Sequence, residues 1–191
     1  MERRHGRPRP DQRMFASGSP LVRNIGYTLI AKDLAIKDLA RSAGVEQSAF
    51  WRIAVGETKN PIIGQVARVL ILQGEEEAYR ILRECVPLGL DRANGWDVFS
   101  EDAPVMMGKF AQQVRGYREL KGYERFDLAA LGLTDETMSK MERGVGYPRL
   151  SKFVLLVFGL GLNRSQSFSL LETAADEYKP RRRFRHISGG V

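Results

Sequence analysis

The chain has 191 residues, 43% of them hydrophobic, which is enough to bury the core of one large domain or two small ones. Its formal net charge of +7 favours a polyanionic partner, while its two histidines, His5 and His186, argue against a histidine-based active site or a multi-histidine metal centre. The single cysteine, Cys85, excludes an internal disulfide and a cysteine-type zinc site within one chain, and no P-loop sequence occurs, so we expect neither an enzyme nor a cofactor.

The charge is unevenly placed. Residues 1–13 carry +3 and residues 179–191 carry +5, leaving −1 on the body between them. Within that body, 21–73 and 107–162 each carry +3, whereas 74–106 carries −5 and would repel phosphate. Residues 1–18 hold Arg, Pro and Gly with almost no apolar content, and we expect a disordered basic arm. Ser19 and Pro20 then suit a helix start, as cap and first helical residue, with Leu21, Ile25, Leu29 and Lys32 on one face and Val22 and Tyr27 beside it.

Leu34 to Pro61 reads LAIKDLARSAGVEQSAFWRIAVGETKNP. A short helix through Leu39-Ala40 should end at Gly44, where positive φ is needed, although Ala35 is a poor cap for it. A second helix from about Glu46 to Val55 would bury Phe50 and Ile53 and leave Gln47, Ser48, Trp51 and Arg52 outward. Ile62 to Leu72 is a strongly apolar helix with Ile63, Val66, Ala67 and Leu70 inward. Glu75-Glu76-Glu77 opens another, carrying the stripe Ala78, Ile81, Leu82 and Cys85, and Pro87 stops it. The connector 87–103 is acidic, and its Trp96, Val98 and Phe99 should dock on a neighbouring domain.

Pro104 opens a second series. Its first helix should run to Lys121-Gly122 with Phe110, Val114 and Tyr117 inward, followed by helices over Phe126 to Leu131, Thr134 to Arg143, Arg149 to Phe158 and Ser167 to Glu177. The last should bear Phe168, Leu171 and Ala175, and 179–191 would form a second basic arm. Phe153 to Leu162, the longest strongly apolar run, is far too short to span a bilayer, so we expect a cytoplasmic, nucleoid-associated protein with no membrane contact.

The helix, glycine turn and helix of Leu34 to Pro61 resemble the lambda-repressor-like Cro/XRE helix-turn-helix family, whose second helix enters the DNA major groove. The pattern recurs 88 positions later, since Gly44 and Gly56 correspond to Gly132 and Gly144, with LTDETMSKMER between the second pair. The resemblance implies an all-α chain of two tandem five-helix lambda-repressor-like helix-turn-helix domains, at 19–86 and 104–178, with basic disordered termini. Its implied function is that of a sequence-specific transcription regulator of bacterial or phage type acting on double-stranded DNA.

Carried onto this chain, the family's base-contact positions are Gln47, Ser48 and Arg52 with Trp51 beside them; Gln pairs well with adenine and Arg with guanine. For Trp51, packing against the rest of the chain stands slightly ahead of a DNA contact. The second copy offers Asp135, Glu136 and Lys140, whose two carboxylates suit a helix start but face badly towards phosphates. It would read bases, mediate a homodimer, or meet RNA polymerase or a partner regulator. Phosphate contacts would come from Lys37, Arg41, Lys59, Arg143, Arg149, Arg181, Arg182 and Arg183. The family often pairs an Arg of the first helix with a Glu late in the recognition helix, here Arg118 and Glu142; the first copy replaces both with Leu29 and Ala54, which avoids a lone buried charge. Leu128 stands where the first copy has the small Ala40, so either the two helices splay there or a residue is missing before Gly132.

Overall fold

A computed structural model describes residues 12–15, 17–86 and 108–178, and these residues are helical with no strand among them. Among them are ten α-helices and one 3-10 helix. The first half contains α1 (Gln12–Phe15), α2 (Pro20–Ala31), α3 (Ile36–Ser42), α4 (Gln47–Ala54), α5 (Ile63–Ile71) and α6 (Glu75–Glu84). The second contains α7 (Gly108–Leu120), the 3-10 helix (Arg125–Leu131), α8 (Asp135–Glu142), α9 (Leu150–Gly159) and α10 (Arg164–Glu177). No helix of the described residues is long and apolar enough to cross a membrane. The connector residues Trp96, Val98 and Phe99 and the basic stretches 1–11 and 179–191 lie outside the described residues; of the arm expected to be disordered over 1–18, Gln12–Phe15 instead form α1, because Met14 is fully buried in the core and the Phe15 ring packs on Tyr27.

Local signals account for most boundaries. Ser19 caps α2, its hydroxyl accepting from the Val22 N–H, and Pro20 occupies the first turn where its missing N–H costs nothing. Leu21, Val22, Ile25 and Leu29 point inward, but Lys32, grouped with them by periodicity, is the exposed residue that ends the helix. Ala35 leaves α3 without a side-chain cap, and the helix closes through Ala43 and Gly44, whose φ of 65° an L side chain rarely adopts. Asn163 and Gln166 form a reciprocal capping box that starts α10 at Arg164, three residues before the start expected at Ser167. That pair is legible once Asn163-x-x-Gln166 is read as a cap.

The second half departs from the first between Arg125 and Leu131, where an α-helix was expected and a 3-10 helix is found. Leu128, 2% exposed, fills the position that Leu39, 0% exposed, fills in α3. From Leu39 to Gly44 there are five steps, and from Leu128 to Gly132 only four, so one residue is missing before the turn. A 3-10 helix rises further per residue than an α-helix and so spans the same gap with fewer residues. Leu128 and Leu131 then close over Gly159 of α9, where an added Cβ would lie 2.9 Å from Leu131 and 3.5 Å from Leu128. Phe126, at the exposed side of this segment, is turned to solvent.

Both halves contribute to one continuous apolar core, from Met14 through Phe50, Ile63 and Leu70 to Phe153, Leu156 and Leu171. The principal seam joins α5 of the first half to α10 of the second. Gly64 makes part of it possible, because the Tyr178 ring lies where a Cβ at residue 64 would be only 2.5 Å away. Gly64→Ala should therefore push Tyr178 off α5 and cost about 1–2 kcal/mol, read as a lower urea midpoint at unchanged slope. Within the second half, Glu177 ties the end of α10 to the start of α7, its carboxylate accepting from the backbone N–H groups of Lys109 at 2.9 Å and Phe110 at 3.0 Å.

Candidate nucleic-acid interface

Helix α4 is held from below and open above. Phe50, Ile53 and Ala54 are buried to within 1% of full burial, and successive residues turn by 100°, so Gln47, Ser48, Trp51 and Arg52 emerge together on the other side, all exposed. Trp51 keeps 40% of its surface exposed rather than packing away, because Phe50 already fills the inward position beside it. The helix start is set by Glu46, which the sequence reading did not single out. Its carboxylate accepts from the Ser48 N–H at 3.3 Å and from the Ser48 hydroxyl, which leaves Ser48 only its lone pairs to offer a partner.

Basic side chains lie on the neighbouring segments, Lys37 and Arg41 on α3, which packs on α4, and Lys59 in the loop that follows α4. Lys37 and Lys59 are exposed, and the Arg41 side chain is 79% exposed, 3.6 Å from Asp38 on its own helix. Arg149 is placed differently: its guanidinium donates to the Asn60 carbonyl at 2.9 Å, so the structure gives it a role in joining the halves. Arg143 is exposed and donates to the Ser139 carbonyl of its own helix at 3.3 Å, and Arg181, Arg182 and Arg183 lie outside the described residues.

Helix α8 presents a different face. Thr134 caps it, accepting from the Thr137 N–H, and Asp135 and Glu136 project from the first turn with side chains 65% and 76% exposed. Lys140 turns back to Glu136 at 2.8 Å, which holds the Glu136 carboxyl below its usual range and ties up the lysine. Behind α8, Arg118 donates to both oxygens of Glu142, at 2.5 and 3.2 Å, and to the Tyr123 carbonyl at 2.6 Å. Both side chains are over 90% buried, and the carboxylate raises the already high pKa of the arginine. At the corresponding place in the first half, Leu29 and Ala54 are both buried in apolar contact.

Lys152 is a charged residue that periodicity assigned to no role. It lies in α9, 1% exposed, and donates from Nζ to the Gly132 carbonyl at 2.6 Å, so it closes the turn between the 3-10 helix and α8. Burial pushes its ammonium pKa down to about 8. The sign follows from linkage: between pH 8 and the ordinary lysine range the unfolded chain holds a proton that the folded chain has released, so stability rises with pH there. In Lys152→Met that rise should vanish, as the difference between two urea titrations across pH 7.5 to about 10.

Among the described residues no three of His, Cys, Asp or Glu are placed to hold a metal ion. Comparison with protein-family models, curated proteins and solved structures returned no match.

Proposed function

We propose that this chain is a sequence-specific, double-stranded DNA-binding transcription regulator of bacterial or phage type, acting in the cytoplasm on the nucleoid and catalysing no reaction. The observation that carries the reading is α4: a capped, core-backed helix that exposes Gln47, Trp51 and Arg52 on one face. Gln offers a paired donor and acceptor to adenine, Arg a fork to the two acceptors of guanine, and Trp51 an apolar surface for a thymine methyl or a sugar. Lys37, Arg41 and Lys59 would add phosphate contacts, which fix register and weaken with salt.

In this reading the two halves are tandem five-helix domains of the lambda-repressor-like kind, α2 to α6 and α7 to α10 with the 3-10 helix as its second element. The matching element order and the paired glycine turns at Gly44 and Gly132, with φ of 65° and 80°, support it. Selection of binding sites from random duplex DNA at near-physiological salt tests the function. Enrichment of a defined sequence that depends on Arg52 supports base reading; loss of all binding on deleting 179–191, with no enriched sequence, would replace it with low-specificity binding through the tails.

A second role is favoured for α8. Its exposed Asp135 and Glu136 repel phosphate and its lysine is paired within the helix, so α8 suits a basic protein surface, such as one on RNA polymerase or a partner regulator, better than DNA.

A further inference from the structure

We infer that the two halves form an internal dimer whose pairing surface is consumed within one chain, so that a single copy occupies its DNA site and that site is asymmetric. The DNA clause rests on the function proposed above; the pairing clause does not.

The pairing is visible in the backbone. Ile62 and Arg149 form an antiparallel bridge in which the Ile63 N–H donates to the Pro148 carbonyl at 2.9 Å and the Leu150 N–H to the Pro61 carbonyl at 2.8 Å. Positions 61, 62 and 63 correspond to 148, 149 and 150, each 87 residues on. Equivalent residues therefore exchange equivalent bonds, the signature of a two-fold contact in which i meets j and j meets i. Each side of this isolated bridge follows a candidate recognition helix, α4 or α8.

The side chains around the bridge break that symmetry, always in the direction that favours unlike halves. Asn60 makes two bonds to Ser151, Nδ2 donating to its hydroxyl at 2.8 Å and Oδ1 accepting from its N–H at 3.0 Å. The equivalents of Asn60 and Ser151 are Tyr147 and Gly64. Tyr147 packs edge-on against Tyr178 and donates to the Glu177 carbonyl at 2.9 Å, while the Tyr178 ring lies over Gly64. Two first halves would bring Asn60 to a glycine that has no hydroxyl. Two second halves would bring the Tyr178 ring to Ser151, whose Cβ occupies the space that only glycine leaves free.

Charge follows the same rule. The first residues of α6 and α10, Glu75 and Arg164, are equivalents and pair at 3.3 Å, with the Ser165 hydroxyl donating to the same carboxylate at 2.6 Å. Like halves would set Glu75 against Glu75 or Arg164 against Arg164. Exposed pairs of this kind add little stability, but opposed like charges act against the wrong partner. The bridge is symmetric in its backbone but the packing around it is not, since α10 lies along α5 far more extensively than α6 lies along its counterpart α9, and this asymmetry together with the complementary side chains selects the other half of the same chain. With a glutamine and an arginine on α4 and two phosphate-repelling carboxylates on α8, only the α4 side is built to read bases, and the DNA site is asymmetric.

The test is Ile62→Cys/Arg149→Cys. In the non-hydrogen-bonded antiparallel pair that these residues form, Cα atoms stand about 4.5 Å apart, inside the range a disulfide spans. Cys85, 1% exposed with its thiol pushed up to about 12 by burial, does not compete. Mild oxidation should give a cross-link within one chain at 21.5 kDa, and sedimentation equilibrium of the unaltered chain should give the same mass. On a duplex recovered by selection, one chain should bind one non-palindromic site. A cross-link between chains, no cross-link at all, or a doubled mass for the free chain would overturn the internal pairing. Two chains on a palindromic site would overturn the asymmetric-site clause. Failure to enrich any DNA would remove the DNA reading, and the site clause with it, while cross-link and mass still decide the pairing.

Discussion

Glu142→Ala should lower the stability of the chain by about 3–5 kcal/mol, the largest effect we expect of a single polar substitution. The reason is the environment of Arg118. Its side chain is 8% exposed and it meets Glu142 through two hydrogen bonds, so removing the carboxylate leaves a guanidinium in the interior with the Tyr123 carbonyl and the flanking Glu119 as its remaining partners. The first half supplies the control, since Leu29 and Ala54 occupy the same two places without charge. Arg118→Leu/Glu142→Ala should therefore recover most of the loss, because removing both members leaves no unpaired charge behind. Urea denaturation of the two single variants and the double variant reads the coupling directly. Additive losses would mean that the pair acts through packing rather than charge.

Gln47→Ala/Arg52→Ala should leave the urea midpoint within about 0.5 kcal/mol of the unaltered chain, because both side chains are exposed and neither supports the core. On the selected duplex the same variant should lose roughly 10²- to 10³-fold in affinity, at about 1–3 kcal/mol for each base contact. The loss should be confined to the preferred sequence, with binding to unrelated duplex little changed and the salt dependence reduced by no more than about one phosphate equivalent. Lys140→Ala should leave base preference as it is, since that lysine is paired with Glu136. A change of preference at particular bases on altering Lys140 or Asp135 would mean that α8 reads DNA as well.

The readable parts of this fold are those decided within a few residues. Phe50 and Ile53 stand three apart, Ser19 precedes Pro20, and glycine falls where the backbone turns left-handed at positions 44 and 132, so α2, the turn and α4 follow from neighbouring residue types. The Arg118 and Glu142 pair was expected only from the resemblance, and the structure joins the two across 24 residues. Less legible was the 3-10 helix, since the sequence left open whether the helices splay or a residue is missing before Gly132, and only the burial of Leu128 in the place of Leu39 decides for the missing residue. Trp51 was weighed by its hydrophobicity alone, which says nothing about whether the core beneath α4 still has room.

The sequence by itself determined the helical class, the repeat, the charge distribution and the outward face of α4, because helix periodicity and turn chemistry act over three to five residues. Only the tertiary structure decided that the halves share one core, that Arg149 bonds to the Asn60 carbonyl of the other half, and that Lys152 closes a turn from 20 residues away. Those contacts join groups separated by up to 114 residues, and what selects them is shape and charge complementarity between surfaces, such as Tyr178 over Gly64 and Glu75 against Arg164.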